Sequence, residues 1–148
     1  MDHPIITMTI FKIETNPDLK DVQFLDDEIT AFNFAATGIS DGELLAIFLR
    51  DEHNEIMAGL YGFTWGGTCE VRNLWVHEEW RGKGLGRELL AQAEAEAHRR
   101  GCKQIVLSTH SFQAPSFYTK LGYKITGAYQ DYPRGHKMYF LAKKISVI

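Results

Sequence analysis

A glycine-rich turn near the middle of the chain carries the residue types that hold an anion: Arg81-Gly82-Lys83-Gly84-Leu85-Gly86-Arg87. Glycine has no Cβ, so the backbone N–H groups of such a turn can converge on one point. The turn lies between a predicted strand and a predicted helix, and the unpaired N–H groups and dipole of a helix's first turn favour negative charge. Arg81, Lys83 and Arg87 add positive charge locally. The sequence therefore predicts a phosphate site at this turn.

The two best-known phosphate motifs do not match the turn. A P-loop requires G-x-x-x-x-G-K-[ST], but the only Gly-Lys pair, Gly82-Lys83, is followed by Gly84. The dinucleotide fingerprint G-x-G-x-x-G also fails, because Gly82, Gly84 and Gly86 are spaced two and two. A nucleotide-phosphate binder that uses the glycine turn alone is still open at this point.

The pattern of apolar residues predicts the elements that must position this turn. Strands are predicted at Ile5–Ile13, Leu44–Leu49, Ile56–Trp65, Cys69–Val76, Gln104–Thr109, Tyr123–Tyr129 and His136–Ile145. Helices are predicted from Asn16-Pro17-Asp18 to Gly38, from the glycine turn to Gly101, and from Pro115 to Leu121. This order gives early hairpins and one βαβ crossover in the middle, which indicates an α/β fold with mixed strand pairing.

Two segments together resemble one known family. Arg81, Gly84 and Gly86 match R-x-x-G-x-G, the coenzyme A motif of the GNAT acetyltransferases. Downstream, the segment Phe117-Tyr118-Thr119-Lys120-Leu121-Gly122-Tyr123 looks like the family's F-Y-x-K-x-G-[FY] pattern. Two motifs in this order are more specific than either alone, and the order of predicted strands and helices also agrees over nearly the whole chain.

The resemblance implies a GNAT fold, which is α/β (α+β) with a mixed central sheet of about seven strands and about four helices. Two parallel strands in mid-sheet, here Cys69–Val76 and Gln104–Thr109, would splay apart to form the acetyl-CoA cleft. The implied activity is that of an acetyl-CoA-dependent N-acetyltransferase, with direct transfer to a primary amine of a small molecule or protein. A non-catalytic acyl-CoA sensor or interaction module is the alternative.

The resemblance also assigns cofactor-binding positions: Leu74, Val76, Arg81, Gly82, Lys83, Gly84, Leu85, Gly86, Arg87, Ser111 and Tyr118. The pyrophosphate would lie on the amides from Lys83 to Arg87 and the pantetheine near Val76, where a backbone amide would polarise the thioester carbonyl. Ser111 stands where many members carry an asparagine, and its hydroxyl can replace one hydrogen bond but is shorter.

Two side chains are predicted to be catalytic. Tyr118 aligns with the family tyrosine that gives a proton to the departing thiolate, whose pKa is about 8.5 by analogy with cysteine. Glu70 has the offset from the glycine turn of a family glutamate that acts as base. Strand alternation would set Glu70, Arg72 and Leu74 on one face unless a bulge intervenes. A structural ion pair of Glu70 with Arg72, and a water chain to another group, are the alternatives to a basic Glu70.

Composition and spacing exclude several other classes of protein. Sixteen Lys and Arg against nineteen Asp and Glu give a net charge of −3, unlike a non-specific nucleic-acid binder. The six histidines lack metal-ligand spacing, and Cys69 and Cys102 are expected to be buried and reduced. No apolar run approaches the ~20 residues that span a bilayer. We therefore expect one domain over residues 1–148, with no metal, no nucleic acid and no membrane contact. A cytoplasmic location is also expected, and a homodimer is an open expectation.

Overall fold

A computed structural model describes residues 10–145, which divide after Gly38 into two compact units. The first unit contains one long helix, α1 (Leu19–Thr37). The Asp18 carboxylate caps its start by accepting a hydrogen bond from the Lys20 N–H at 2.9 Å. Gly38, at φ +71°, ends it in the left-handed conformation. The predicted strand Ile5–Ile13 lies largely outside the described residues, and residues 10–13 form no strand.

The second unit is built on one six-stranded sheet in the order β1-β2-β3-β4-β6-β5. Its strands are β1 (Glu43–Arg50), β2 (Ile56–Trp65), β3 (Thr68–Val76), β4 (Gln104–His110), β5 (Lys124–Gln130) and β6 (Lys137–Lys144). Only β3 and β4 run parallel; the other neighbours are antiparallel. The predicted mixed sheet is thus confirmed, with each of these six strands within a residue or two of its expected bounds.

Three helical segments complete this unit: a 3₁₀ helix (Glu78–Trp80), α2 (Leu85–Arg99) and α3 (Pro115–Lys120). The helix α2 connects the two parallel strands and buries Leu89, Leu90, Ala93 and Ala97. These side chains recur every three or four residues, so they form one apolar face. They share the core with fully buried side chains from the sheet, including Leu60, Cys69, Ile105 and Leu141. No helix within residues 10–145 is long and apolar enough to cross a membrane.

The parallel strands β3 and β4 pair only over their first halves. Backbone pairing runs from Thr68 opposite Gln104 to Val71 opposite Leu107, and it stops there although both strands continue. The opening between their carboxyl-terminal halves is the splay that the family resemblance implies.

A bulge at Arg72 accompanies the opening. On the other side of β3, Tyr61 of β2 pairs with Asn73 and Gly62 pairs with Val71, so Arg72 is an extra residue. Gly62 makes this possible, because a Cβ there would lie 2.0 Å from the Glu70 carbonyl oxygen. Glycine is therefore required opposite the bulge for steric reasons.

The bulge changes which side chains share a face of β3. Val71 belongs to the core and Leu74 packs against it, although they are three residues apart. Glu70 and Arg72 lie together on the other face, where they line one cavity. Plain alternation, which would put Leu74 on the face of Glu70 and Arg72, does not hold here, because the bulge, its expected exception, is present and shifts the phase of the strand.

Candidate functional site

The glycine turn joins the end of β3 to α2 through the 3₁₀ helix. The His77 imidazole caps that short helix by accepting a hydrogen bond at Nδ1 from the Glu79 N–H at 3.1 Å. Gly82 and Gly84 then adopt φ values of +78° and +81°, in the region that side chains with a Cβ disfavour. Gly84 is the N-cap residue of α2, so the turn leads directly into the positive end of this helix.

The amides that the sequence assigns to an anion have no acceptor in the part of the chain that the structure describes. The first helical hydrogen bond runs from the Glu88 N–H to the Gly84 carbonyl at 3.0 Å. The amides of Leu85, Gly86 and Arg87 precede it and so have no partner inside the helix. Between residues 10 and 145, no group accepts a hydrogen bond from the amides of Lys83 to Arg87. These unpaired N–H groups at a helix N-terminus can bind an anion.

The cationic side chains of the turn differ in what they contact. The Arg81 Nε donates to the Val76 carbonyl at 2.9 Å and so ties the turn to the end of β3. The Lys83 ammonium lies over the Trp80 ring, 4.6 Å from its centroid. Arg87 is exposed in the first turn of α2. Arg81 therefore fixes the position of the turn, and Lys83 and Arg87 leave positive charge at its surface.

A cavity of about 410 Å³ occupies the opening between β3 and β4. Its walls include Leu74 and Trp75 from β3, Thr109 and His110 from β4, and Tyr118 from α3. Val76 packs against the core beside this opening, and Gly86 of α2 lies against it and against Phe117. We call this cavity the cleft. Leu74 and Tyr118, two of the residues predicted to bind the coenzyme, both line it.

The Tyr118 side chain is buried in the wall of the cleft, with only 8% of its surface exposed. Its ring makes edge contacts with Phe117 and Tyr123. No described residue hydrogen-bonds its hydroxyl. Every fully buried side-chain oxygen among those residues has a hydrogen-bond partner, so the Tyr118 hydroxyl cannot be fully buried. The hydroxyl therefore keeps some exposed surface, and Tyr118 lines the cleft. Burial raises the pKa of Tyr118 above its ordinary value, so it holds its proton at neutral pH.

The neighbouring Tyr123 is buried in a different way. Its hydroxyl donates to Glu94 Oε1 at 3.0 Å, and the Lys143 ammonium donates to the same oxygen at 3.0 Å. Burial, followed by the negative charge of Glu94, raises the pKa of Tyr123. The Tyr123 hydroxyl is thus hydrogen-bonded within the fold, whereas no described residue bonds the hydroxyl of Tyr118.

Glu70 lies on the other face of the sheet from Leu74. Its carboxylate Oε2 is 2.8 Å from the Arg72 Nε, and the Arg72 guanidinium lies over the Phe63 ring at 5.4 Å. Glu70 lines a second cavity of about 390 Å³ with Thr126 and Phe140, and it does not line the cleft. Its predicted role as a base stays a prediction.

Ser111 is held by β6 at the end of β4. Its N–H donates to the Lys137 carbonyl at 2.8 Å, and its hydroxyl oxygen accepts from the Lys137 N–H at 3.0 Å. The hydroxyl proton is still free to bond a ligand. Ser111 does not line the cleft, so its predicted coenzyme contact stays a prediction.

One residue of the cleft, His110, was missed by the sequence analysis. It is half-buried at the end of β4, and its Nδ1 is 2.9 Å from the Tyr132 carbonyl oxygen. The available signal was its position at the carboxyl end of a strand predicted to border the cleft. Across residues 10–145, no group of three or more His, Cys, Asp or Glu side chains could hold a metal ion.

Comparison with known proteins gives one consistent family. The sequence profile described as an acetyltransferase (GNAT) domain matches residues 43–125, more than half of the chain. Blasticidin-S acetyltransferase of Streptomyces morookaense is 38% identical over 104 residues, 70% of this chain and 76% of the relative. A crystal structure of an acetyltransferase from Bacillus cereus has a TM-score of 0.75 at 29% identity, over 90% of this chain and 97% of that one. An aminoglycoside 6'-N-acetyltransferase complexed with coenzyme A shares the fold, with a TM-score of 0.63 at 22% identity over 72% and 75%.

Proposed function

The chain belongs to the GNAT acetyltransferase family, and from that premise we propose an acetyl-CoA-dependent N-acetyltransferase that transfers the acetyl group directly to a primary amine. Residues 1–148 would form one acetyltransferase domain. The observation that carries the proposal is the cleft itself: unpaired amides lie beyond one end of β3, and the free hydroxyl of Tyr118 lies in its wall. An anion site and a proton donor beside one cavity are what the reaction needs.

The residues divide the binding of acetyl-CoA between them. The amides of Lys83 to Arg87 would hold the diphosphate, with Gly82 and Gly84 shaping the turn and Arg81 tying it to Val76. The pantetheine would lie beside Leu74 and Val76, with the Ser111 hydroxyl as a further donor. When bound, acetyl-CoA supplies the activated thioester.

The chain's chemical task is to manage charge and protons around that thioester. A backbone amide near Val76 would stabilise the oxyanion, which needs no side chain. Tyr118 would donate a proton to the departing sulfur, and its raised pKa keeps that proton available at neutral pH. The ion pair of Glu70 with Arg72 would set the charge on the opposite face of the sheet.

The cysteines support direct transfer over an acyl-enzyme intermediate. Both Cys69 and Cys102 are buried in the core. Burial raises the pKa of the Cys69 thiol to about 11, and it raises that of Cys102 as well. A thiol attacks as the thiolate, so neither cysteine is suited to be a nucleophile at neutral pH.

We place the acceptor among small amines. The relative from Streptomyces morookaense is named for acetylation of blasticidin S, and it covers most of the present chain. The net charge of −3 also gives no broad basic surface for an acidic macromolecule.

An acceptor screen tests this function. The purified chain is incubated with acetyl-CoA and separate primary amines: blasticidin S, spermidine, kanamycin and a lysine peptide. Release of free coenzyme A thiol and the mass of the acetylated product are measured. We expect acceptor-dependent thiol release with one of the small amines. If the chain binds acetyl-CoA but acetylates no amine, the proposed enzymatic activity is contradicted. If ATP at equal concentration displaces coenzyme A, the chain is instead a generic phosphate binder.

A further inference from the structure

His110 is held at the mouth of the cleft by several contacts. It is the last residue of β4, beyond the point at which β4 stops pairing with β3. Its backbone N–H donates to Gln113 Oε1 at 2.7 Å. Its ring stacks on Phe112, with centroids 5.3 Å apart and an interplanar angle of 9°, and lies 5.2 Å from the Tyr132 ring. The imidazole is therefore fixed in orientation before any ligand binds.

The hydrogen bond to Tyr132 determines which ring nitrogen carries the proton. The Nδ1 of His110 is 2.9 Å from the Tyr132 carbonyl oxygen, and a carbonyl oxygen can only accept. Nδ1 must therefore be the donor. A neutral imidazole has one N–H group, so Nε2 carries a free lone pair. Within residues 10–145, no hydrogen bond reaches Nε2. His110 thus has an unbonded Nε2 and lines the same cleft as Tyr118.

We propose that His110 is the general base of the reaction and removes the proton that the acceptor's ammonium group must lose before it can attack. This inference rests on the proposed acetyltransferase function and adds to it a residue that deprotonates the acceptor. An alkylamine has a pKa of about 10, so it reaches the cleft mostly protonated at neutral pH. Histidine changes charge between about pH 5 and 8, which suits a base working in that range.

The proposed step balances in protons and electrons. His110 Nε2 takes one proton from the ammonium group, directly or through one water, and becomes an imidazolium. The amine lone pair forms the C–N bond at the thioester carbonyl carbon, and the C–S bond breaks with its electron pair on sulfur. Tyr118 protonates that sulfur and then recovers a proton from the new amide nitrogen. The imidazolium releases its proton to solvent, so the net products are amide, coenzyme A thiol and one proton.

His110 is better placed than Glu70 for this role. The Glu70 carboxylate is engaged by Arg72 at 2.8 Å and lines the other cavity. Three titratable groups surround His110: Tyr118 from α3 lines the same cleft, Tyr132 precedes β6, and His136 lies behind the Phe112 ring. Arg72 borders both cavities, and its guanidinium holds the Glu70 carboxylate. The described residues that stack on the His110 ring or hydrogen-bond its Nδ1 or backbone N–H, which are Phe112, Gln113 and Tyr132, include no carboxylate.

The central test compares three variants across pH, with acetyl-CoA and the best amine of the acceptor screen, beginning with blasticidin S. In His110→Asn, the amide N–H replaces the Nδ1 donor to Tyr132 but nothing replaces Nε2. We expect kcat at pH 7 to fall about a hundredfold, the low end for loss of a positioned base, because water and buffer still remove some protons. We also expect the acidic limb of the kcat profile to disappear, and added imidazole to restore part of the rate. His136→Asn, in the same ring cluster, and Glu70→Gln are expected to keep the acidic limb.

The outcomes separate failure of the base assignment to His110 from failure of the proposed acetyltransferase function. If the wild type acetylates an amine and His110→Asn keeps both the rate and the acidic limb, His110 is not the general base, but the proposed acetyltransferase function is retained. The proposal for His110 is also overturned if the acidic limb of the kcat profile disappears in Glu70→Gln and persists in His110→Asn. A second readout needs no turnover: long-range ¹H–¹⁵N NMR on the free protein should show neutral His110 protonated at Nδ1 and bare at Nε2. The opposite tautomer would contradict the proposal even if the enzyme is active.

Discussion

Tyr118→Phe is expected to lower kcat about a hundredfold and to weaken acetyl-CoA binding far less, because a positioned proton donor contributes about 10²–10⁴ in rate. Phenylalanine keeps the ring and its contacts with Phe117 and Tyr123 but removes the hydroxyl. The thiolate must then leave without a protein proton. Steady-state kinetics give kcat, and calorimetric titration with acetyl-CoA gives the affinity.

The pH dependence of the wild type is part of the same prediction. Burial raises the pKa of Tyr118 above the ordinary tyrosine value of about 10, so the hydroxyl keeps its proton as the pH rises through that value. We therefore expect the wild-type kcat to show no loss from Tyr118 below about pH 10. A Tyr118→Phe variant with wild-type turnover at every pH would remove the donor role.

Tyr123→Phe is the matched control, since it removes a hydroxyl from an adjacent buried ring. That hydroxyl donates to Glu94, which Lys143 also contacts. A hydrogen bond to a charged group contributes about 1.5–3 kcal/mol, so the control should lose stability of this size in chemical denaturation. Its kcat should be close to that of the wild type. The two variants would thus separate catalysis from stability, and equal loss of kcat in both would indicate damage to packing instead.

The parts of the fold that could be predicted are those with local causes. The start of α1 follows from the Asp18 cap, and its end from the left-handed Gly38. The helix α2 begins directly after Gly84 and ends just before Gly101, and both glycines have a φ of +81°. Periodic apolar residues along α2 also determine its buried face, whereas the apolar period of α1 corresponds to no buried residue. The strands of the mixed sheet follow from short apolar runs between turn residues.

The parts that the sequence left open or missed depend on contacts between distant segments. The bulge at Arg72 needs Gly62 on the neighbouring strand, where a Cβ would meet the Glu70 backbone. Strand alternation alone could not reveal it, and it decides that Leu74 and Glu70 lie on opposite faces. The proton position on His110 is set by the carbonyl of Tyr132, 22 residues away in sequence. A histidine in an unaligned sequence gives no sign of such a partner.

Gly84→Ala is expected to weaken acetyl-CoA binding by about tenfold to a hundredfold, equal to the loss of one or two charge-assisted hydrogen bonds. Gly84 is at φ +81°, and its left-handed conformation starts α2 with the amides of Leu85 and Gly86 exposed. A Cβ strains that conformation, and relaxing the strain turns the amides away from a common point. Calorimetric titration with acetyl-CoA measures the loss.

Gly101→Ala distinguishes this effect from backbone strain alone. Gly101 also has a φ of +81°, it follows the other end of α2, and a Cβ at either glycine would meet no atom within 4 Å. Both variants should therefore lose about 1–2 kcal/mol of stability from the left-handed residue. Only Gly84→Ala should also lose coenzyme affinity, because only Gly84 adjoins the unpaired amides. Equal acetyl-CoA affinity in the two variants would show that the diphosphate is not held by the N–H groups from Lys83 to Arg87, since the same strain would then have the same consequence at both ends of the helix.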